Sequence, residues 1–289
     1  MTSILDTRPS PIAGQWYPAD ASQLAAQVDS YINAAQLPEL HGEVVAVMAP
    51  HAGYTYSGPI AGYAFAALRG LTPEVVVLLS PMHYPYTEPL LTTAHSAYAT
   101  PLGEVPVDHD ALKALDSLLL MELGYGLTRV AHDSEHSLEI ELPFLQRVLE
   151  KPFRLLPVMV RDPRARVVRA LGKALAALFS DGGLLAAESS ILIASTDLSH
   201  FYPQSVANEL DAEMLRQIEA FDPDGVLSVE DEGKGFACGR GAVAAVLWAA
   251  RGLGADHVEI VNYATSGDIT GDFESVVGYG AAVVTRQDK

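Results

Sequence analysis

The stretch Glu74-Val75-Val76-Val77-Leu78-Leu79-Ser80 constrains this chain more than any other. Its apolar residues are continuous from 75 to 79 and partly β-branched, with no polar face and too little length for a buried helix. Such a run fits a strand covered on both sides, as at the centre of a parallel sheet. It ends in Ser80-Pro81-Met82-His83, and two other buried runs also lead to a histidine, one of them through a proline. Val44 to Met48 leads into Ala49-Pro50-His51-Ala52-Gly53-Tyr54, and Ser190-Ile191-Leu192-Ile193-Ala194-Ser195 leads into Thr196-Asp197-Leu198-Ser199-His200. Proline ends a strand because it cannot donate to the ladder. In open α/β sheets ligands bind outside the carboxyl ends of the strands. If these strands are parallel neighbours, His51, His83, His200 and Asp197 gather at one sheet edge. A single such histidine is more simply a loop residue bonded to nearby backbone; the repetition argues for a site.

The remaining pattern supplies the helices. Asp20 caps a helix to about Ala35, Ser57 one over Pro59–Leu68, and Asp108 one over Ala111–Leu120. Residues 88–107 read as an excursion with extended pieces. A helix follows Ser134 to Leu149, kinked or started late by Pro143. Phe153–Val160 is a strand, Ala165–Phe179 an amphipathic helix, and Gly182-Gly183 a break. Helices over Ser205–Phe221, Gly225–Glu230 and Ala242–Ala250 precede strands from His257 to Ala264 and from Val276 to Thr285. No repeat or linker divides the chain, so residues 1–289 are expected to form one domain. That domain is a three-layer α/β/α sandwich with a largely parallel central sheet.

Composition narrows the function. Acidic residues outnumber basic ones 36 to 18, for a formal net charge of −18, a field that repels nucleic acid and anionic membranes. No apolar run approaches the ~20 residues of a membrane span. The residues from Met1 to Pro9 carry no basic and apolar signal-peptide pattern, and the single cysteine fits a reducing compartment, so the expected location is cytoplasmic. Walker, Gly-x-Gly-x-x-Gly and Gly-x-Ser-x-Gly signatures are absent, which disfavours nucleotide binding and serine hydrolysis.

Imidazole and carboxylate are the ligands that hold iron, zinc or copper. Cys238 precedes a helix, where a lowered pKa favours thiolate; its simpler reading is a small buried apolar residue. Glycines 233, 235, 239 and 241 around it let backbone approach closely. His136 and Glu139 share a helix face at i and i+3, which suits support of a metal-bound histidine or proton transfer. Tyr54 and Tyr84 flank the first two histidines and either donate to an anionic substrate or pack as wall. Trp16 and Tyr17 read as anchors of the first helix. His41, His95, His109 and His257 read as surface residues.

Gly14-Gln15-Trp16-Tyr17, Ala49-Pro50-His51-Ala52-Gly53-Tyr54, Ser80-Pro81-Met82-His83, Glu135-His136-Ser137-Leu138-Glu139, Ser195-Thr196-Asp197-Leu198-Ser199-His200 and Cys238-Gly239-Arg240 occur in this order. Together they resemble the Memo family, whose microbial members are called AmmeMemoRadiSam system protein B. The resemblance implies a fold similar to class III extradiol dioxygenases of the LigB type, which use non-haem iron(II). It implies His51, His83 and Cys238 as metal ligands, with Asp197 and His200 in the same pocket. It also implies iron or copper as the cofactor, iron first, and a radical-SAM protein of the same system as a partner; zinc is the alternative that the ligand types alone allow. A cysteine where the dioxygenases carry a carboxylate favours softer metals. The expected function is redox or oxygen chemistry at a non-haem metal on a small substrate. His200 or His136 would then be the base, with Asp197 orienting or accepting a proton. The alternatives are a metal-handling or protein-binding redox protein and a zinc-dependent hydrolase.

Overall fold

A computed structural model of the chain describes residues 6–179 and 190–287. The Gly182-Gly183 break lies outside the described residues. The main sheet runs, from one edge, through strands His200–Tyr202, Val276–Arg286, Glu43–Ala49, Ser190–Ser195, Val75–Pro81, Arg154–Val160, Leu90–Thr93 and Thr128–Val130. Strand His257–Thr265 pairs with Val276–Arg286 off this path. The four strands from Glu43–Ala49 to Arg154–Val160 are parallel. Antiparallel pairs flank them on both sides. The central strand Val75–Pro81 is buried along its whole length, as its unbroken apolar run requires. Each Val or Leu there contributes about 1.5–3 kcal/mol by leaving water.

Helices cover both faces. Ala21–Ala34, Tyr54–Ala66 and Leu142–Val148 pack together as one layer. His109–Leu123, Ala165–Leu178 and Arg240–Gly252 form the other. The result is the expected α/β/α sandwich. Helix Tyr54–Ala66 lies tightly on the first helix: a Cβ on Gly62 would sit 2.6 Å from the Tyr31 carbonyl oxygen. The Asp20 and Asp108 caps form, each side chain accepting from a backbone N–H three residues on, at 2.9 Å. Among the described residues no helix is long and apolar enough to cross a membrane.

Three local expectations are corrected. The second helix begins at Tyr54, not near Pro59, and Ser57 is inside it. The Tyr54 N–H is already satisfied by the Trp16 carbonyl at 2.9 Å, and the Ser57 hydroxyl donates back to Ala52 O at 2.7 Å. The helix thus departs within three residues of His51. His136 is not on a helix. A 3₁₀ turn spans Glu139–Glu141, and the α-helix Leu142–Val148 starts with Pro143 in its first turn, where a missing N–H costs nothing. His95 is buried, not on the surface, with Nε2 2.7 Å from Ala131 O.

Candidate metal centre

Strands Glu43–Ala49, Ser190–Ser195 and Val75–Pro81 are parallel neighbours, so their carboxyl ends open side by side. His51 follows the first, Asp197 the second and His83 the third. A fourth contribution comes from the loop after strand Thr128–Val130, which carries His136. One nitrogen from each of His51, His83 and His136 lies within 4.8 Å of the others. The rings pack closely, with His83 and His136 stacked at 4.9 Å between centroids and His51 edge-on to both. Trp16 packs against His136 with 4.1 Å between ring centroids.

Two of the three histidines are hydrogen-bonded from behind. His51 Nδ1 lies 2.9 Å from Ser195 Oγ. Its backbone N–H donates to Asp197 Oδ1 at 2.8 Å. His83 Nδ1 lies 2.9 Å from Glu135 Oε1, and the His83 N–H donates to Oε2 at 2.6 Å. The Glu135 carboxylate also accepts from the His136 and Ser137 N–H groups at 2.9 and 3.0 Å. Burial opposes its charge, but these bonds and the two imidazoles outweigh burial and hold it well below the usual carboxyl range. Burial, reinforced by the other two rings, pushes His51 well below its ordinary value. Burial likewise lowers His136 to about 4, against the pull of Glu135. Both imidazoles are therefore neutral at pH 7, with lone pairs to offer. Three imidazoles meeting at one point, two of them fixed by an oxygen on the other side of the ring, suit a divalent transition metal.

Cys238 sits beside this group. Its Sγ is 3.2 Å from His51 Nε2 and accepts from the Asp197 N–H at 3.3 Å. Gly239 makes that placement available: a Cβ there would strike the Ser195 carbonyl, and the Gly239 N–H donates to Thr196 Oγ1 at 2.9 Å. Burial, then the Asp197 charge, pushes the thiol pKa up, opposite to the thiolate expected from a helix start. Burial raises Asp197 to about 7 against the bond from the His51 N–H. Its Oδ2 is 3.9 Å from His51 Nε2. His200 stands to one side, its Nδ1 2.7 Å from Leu198 O and its ring 5.6 Å from Phe236. A cavity of about 300 Å³ reaches the cluster, with His83, Cys238, Phe236, Arg161 and Arg240 in its wall.

The other candidates lie elsewhere. Tyr54 is buried and donates to Ile140 O at 2.7 Å, so its hydroxyl is committed inside the fold. Tyr84 is exposed. Glu139 turns away from His136 and accepts from Arg8 at 2.7 Å and from the Tyr17 hydroxyl at 2.6 Å. Residues without a role in the sequence reading complete the site. Glu135 is buried directly before His136; its signals in the sequence are that adjacency and its place at the head of the motif Glu135-His136-Ser137-Leu138-Glu139. Arg8 donates to Asp133 Oδ1 and to the Glu135 carbonyl, each at 2.7 Å, and so ties down the His136 loop. Glu141 stands 2.7 Å from Ser195 Oγ.

The sequence matches the family description "Memo-like protein" over residues 8–283. It is 34% identical to a MEMO1 family protein of Nitrosopumilus maritimus, across 93% of this chain and 96% of that protein. It is 35% identical to a MEMO1 family protein of Methanopyrus kandleri, across 95% and 98%. The crystal structure of an uncharacterized protein from Escherichia coli K12 shares the fold, with a TM-score of 0.52 at 16% identity over 83% of this chain and 100% of that one. On the family match across nearly its whole length, this chain belongs to the Memo-like protein family.

Proposed function

We propose that this chain is a metal-binding protein in which His51, His83 and His136 hold a divalent transition metal for redox or oxygen chemistry on a small substrate. Iron is the first choice, with copper and zinc as alternatives. The observation that carries the reading is the meeting of three imidazole nitrogens within 4.8 Å. When bound, the metal would supply Lewis-acid or redox chemistry. The chain supplies the rest. The cavity beside His83 and Cys238 admits a small molecule. His200 Nδ1 faces the Leu198 carbonyl, which can only accept, so Nδ1 carries the ring proton and Nε2 keeps its lone pair. Burial lowers the His200 pKa, keeping the ring neutral and fit to act as base. A second reading rests on Cys238: a thiol beside His51 adds a soft donor, which suits a copper-handling protein serving a partner. By family resemblance that partner is a radical-SAM protein.

Anaerobic titration with iron(II), zinc(II) and copper(I), followed by oxygen uptake with a panel of catechols, tests these readings. Structural zinc sites bind with about 10–16 kcal/mol shared among four ligands, so losing one ligand costs on the order of a hundredfold in affinity. His136→Ala is expected to show that loss for iron(II), and Cys238→Ser to keep most of the wild-type affinity. The reverse ranking would take His136 out of the ligand set. Tight metal without oxygen uptake on any catechol would favour metal handling, and no stoichiometric metal at all would end both readings.

A further inference from the structure

Behind His51 lies a buried polar group that the metal reading does not use. Ser195 Oγ has three close neighbours: His51 Nδ1 at 2.9 Å, the Ser137 carbonyl at 2.7 Å and Glu141 Oε1 at 2.7 Å. Ser195, Ser137 and Glu141 are all at most 1% exposed. The hydroxyl has one hydrogen to give. The Ser137 carbonyl can only accept, so it claims that hydrogen. A neutral Glu141 would then donate its acid hydrogen to Ser195 Oγ. Its other oxygen, Oε2, is buried with no hydrogen-bond partner, which a carbonyl-type oxygen tolerates and a carboxylate does not. Burial, which pushes Glu141 well above the usual carboxyl range, agrees with the neutral form. With the hydroxyl hydrogen committed, His51 Nδ1 must be a donor.

The opposite edge of the ring makes this consequential. His51 Nε2 faces Cys238 Sγ at 3.2 Å and Asp197 Oδ2 at 3.9 Å, both able to accept a hydrogen. Two ends of one imidazole thus compete for one proton. If Nε2 held it, the lone pair would point at Ser195 and none would face the cluster.

We propose that Ser195 and Glu141 are positioning residues that fix His51 in the Nδ1–H tautomer and so present its Nε2 lone pair to the cluster. This rests on the metal reading only for its purpose; the tautomer belongs to the chain itself. Glu141 takes the Ser195 hydroxyl's place as donor and turns its hydrogen towards Ser137, away from Nδ1. Without that second donor the hydroxyl can rotate to donate to His51 and release the ring proton to Nε2.

Long-range proton–nitrogen correlation spectra of ¹⁵N-histidine-labelled, chelator-treated full chain report the tautomer, with His51 assigned by its loss in His51→Gln. The wild type is expected to show a protonated Nδ1 and an unprotonated Nε2. Ser195→Ala should move the proton to Nε2 and weaken zinc(II) binding about 10–100-fold. Glu141→Leu should give a mixture of tautomers. Glu141→Gln, whose amide can donate as the acid does, should keep the wild-type pattern, which a merely structural role would not require. A wild type protonated at Nε2, or a folded Ser195→Ala with an unchanged tautomer, would overturn the proposal. If Ser195→Ala does not fold, an unchanged tautomer in Glu141→Leu decides against it equally. A wild type with the expected tautomer that takes up no metal would instead defeat the metal reading alone.

Discussion

Replacing Arg8 with methionine should lower the stability of the folded chain by about 3–5 kcal/mol, the usual cost of removing one partner from a buried ion pair. Arg8 is 3% exposed, in the two-residue strand Thr7–Arg8, and its guanidinium is fully engaged. Nη1 donates to Glu139 Oε2, and Nη2 to Asp133 Oδ1 and the Glu135 carbonyl, all at 2.7 Å. The Tyr98 ring lies 5.1 Å beneath it. Methionine keeps the stem's packing but leaves two buried carboxylates, Asp133 and Glu139, without their cation. Glu139 would retain only neutral donors, Tyr17 and Ser10. Urea unfolding measures the loss, and Glu139→Gln in the Arg8→Met background should recover part of it by removing one stranded charge. A loss below about 1 kcal/mol, typical of an exposed pair, would mean that water reaches this cluster. The same variant should weaken metal binding without touching a ligand, because Arg8 anchors the loop that presents His136.

That long-range tie explains what the sequence could and could not reveal. The strands were legible because burial on both faces leaves an unbroken apolar run, as in Val75 to Leu79, and because proline marks the strand's end. The convergence of His51, His83 and Asp197 followed from topology once the strands were parallel neighbours. His136 was harder. It reaches the cluster from a loop, not a strand end, and its i,i+3 pairing with Glu139 implied a helix. Arg8 and Glu135 instead hold residues 133–137 in an irregular path through backbone bonds. Arg8 to Glu139 spans 131 residues, a separation no local pattern encodes. The expected lowering of the Cys238 pKa is reversed for a related reason: the thiol lies buried beside Asp197, and burial outweighs a helix start. Ser195 stands in a strand-end motif but carries no sign of its bond to His51, and a glutamate before Leu-Pro such as Glu141 is common on surfaces.

Glu135→Gln should be the most damaging change to the site that leaves every candidate ligand in place. The carboxylate is 2% exposed and faces donors only: the His83 N–H at Oε2, and the His136 and Ser137 N–H groups with His83 Nδ1 at Oε1. Glutamine offers one accepting oxygen. Placed at the Oε1 position, it sets its own N–H₂ against the His83 N–H across a gap now 2.6 Å wide. Turned the other way, it abandons the three donors at Oε1. Each stranded buried donor costs about 1–3 kcal/mol, so either orientation is destabilising. Metal affinity should fall about 10–100-fold, because His83 loses the carboxylate that fixes its ring and raises its basicity. The acid limb gives a separate check. The folded-state pKa of Glu135 is depressed, so its stabilisation is complete above the ordinary value of 4.5 and fades as pH falls from there through the folded value. Wild-type stability should therefore decline over that acidic window more steeply than that of Glu135→Gln. Parallel acid limbs in urea unfolding, together with unchanged zinc(II) affinity, would show that His83 is held by something other than Glu135.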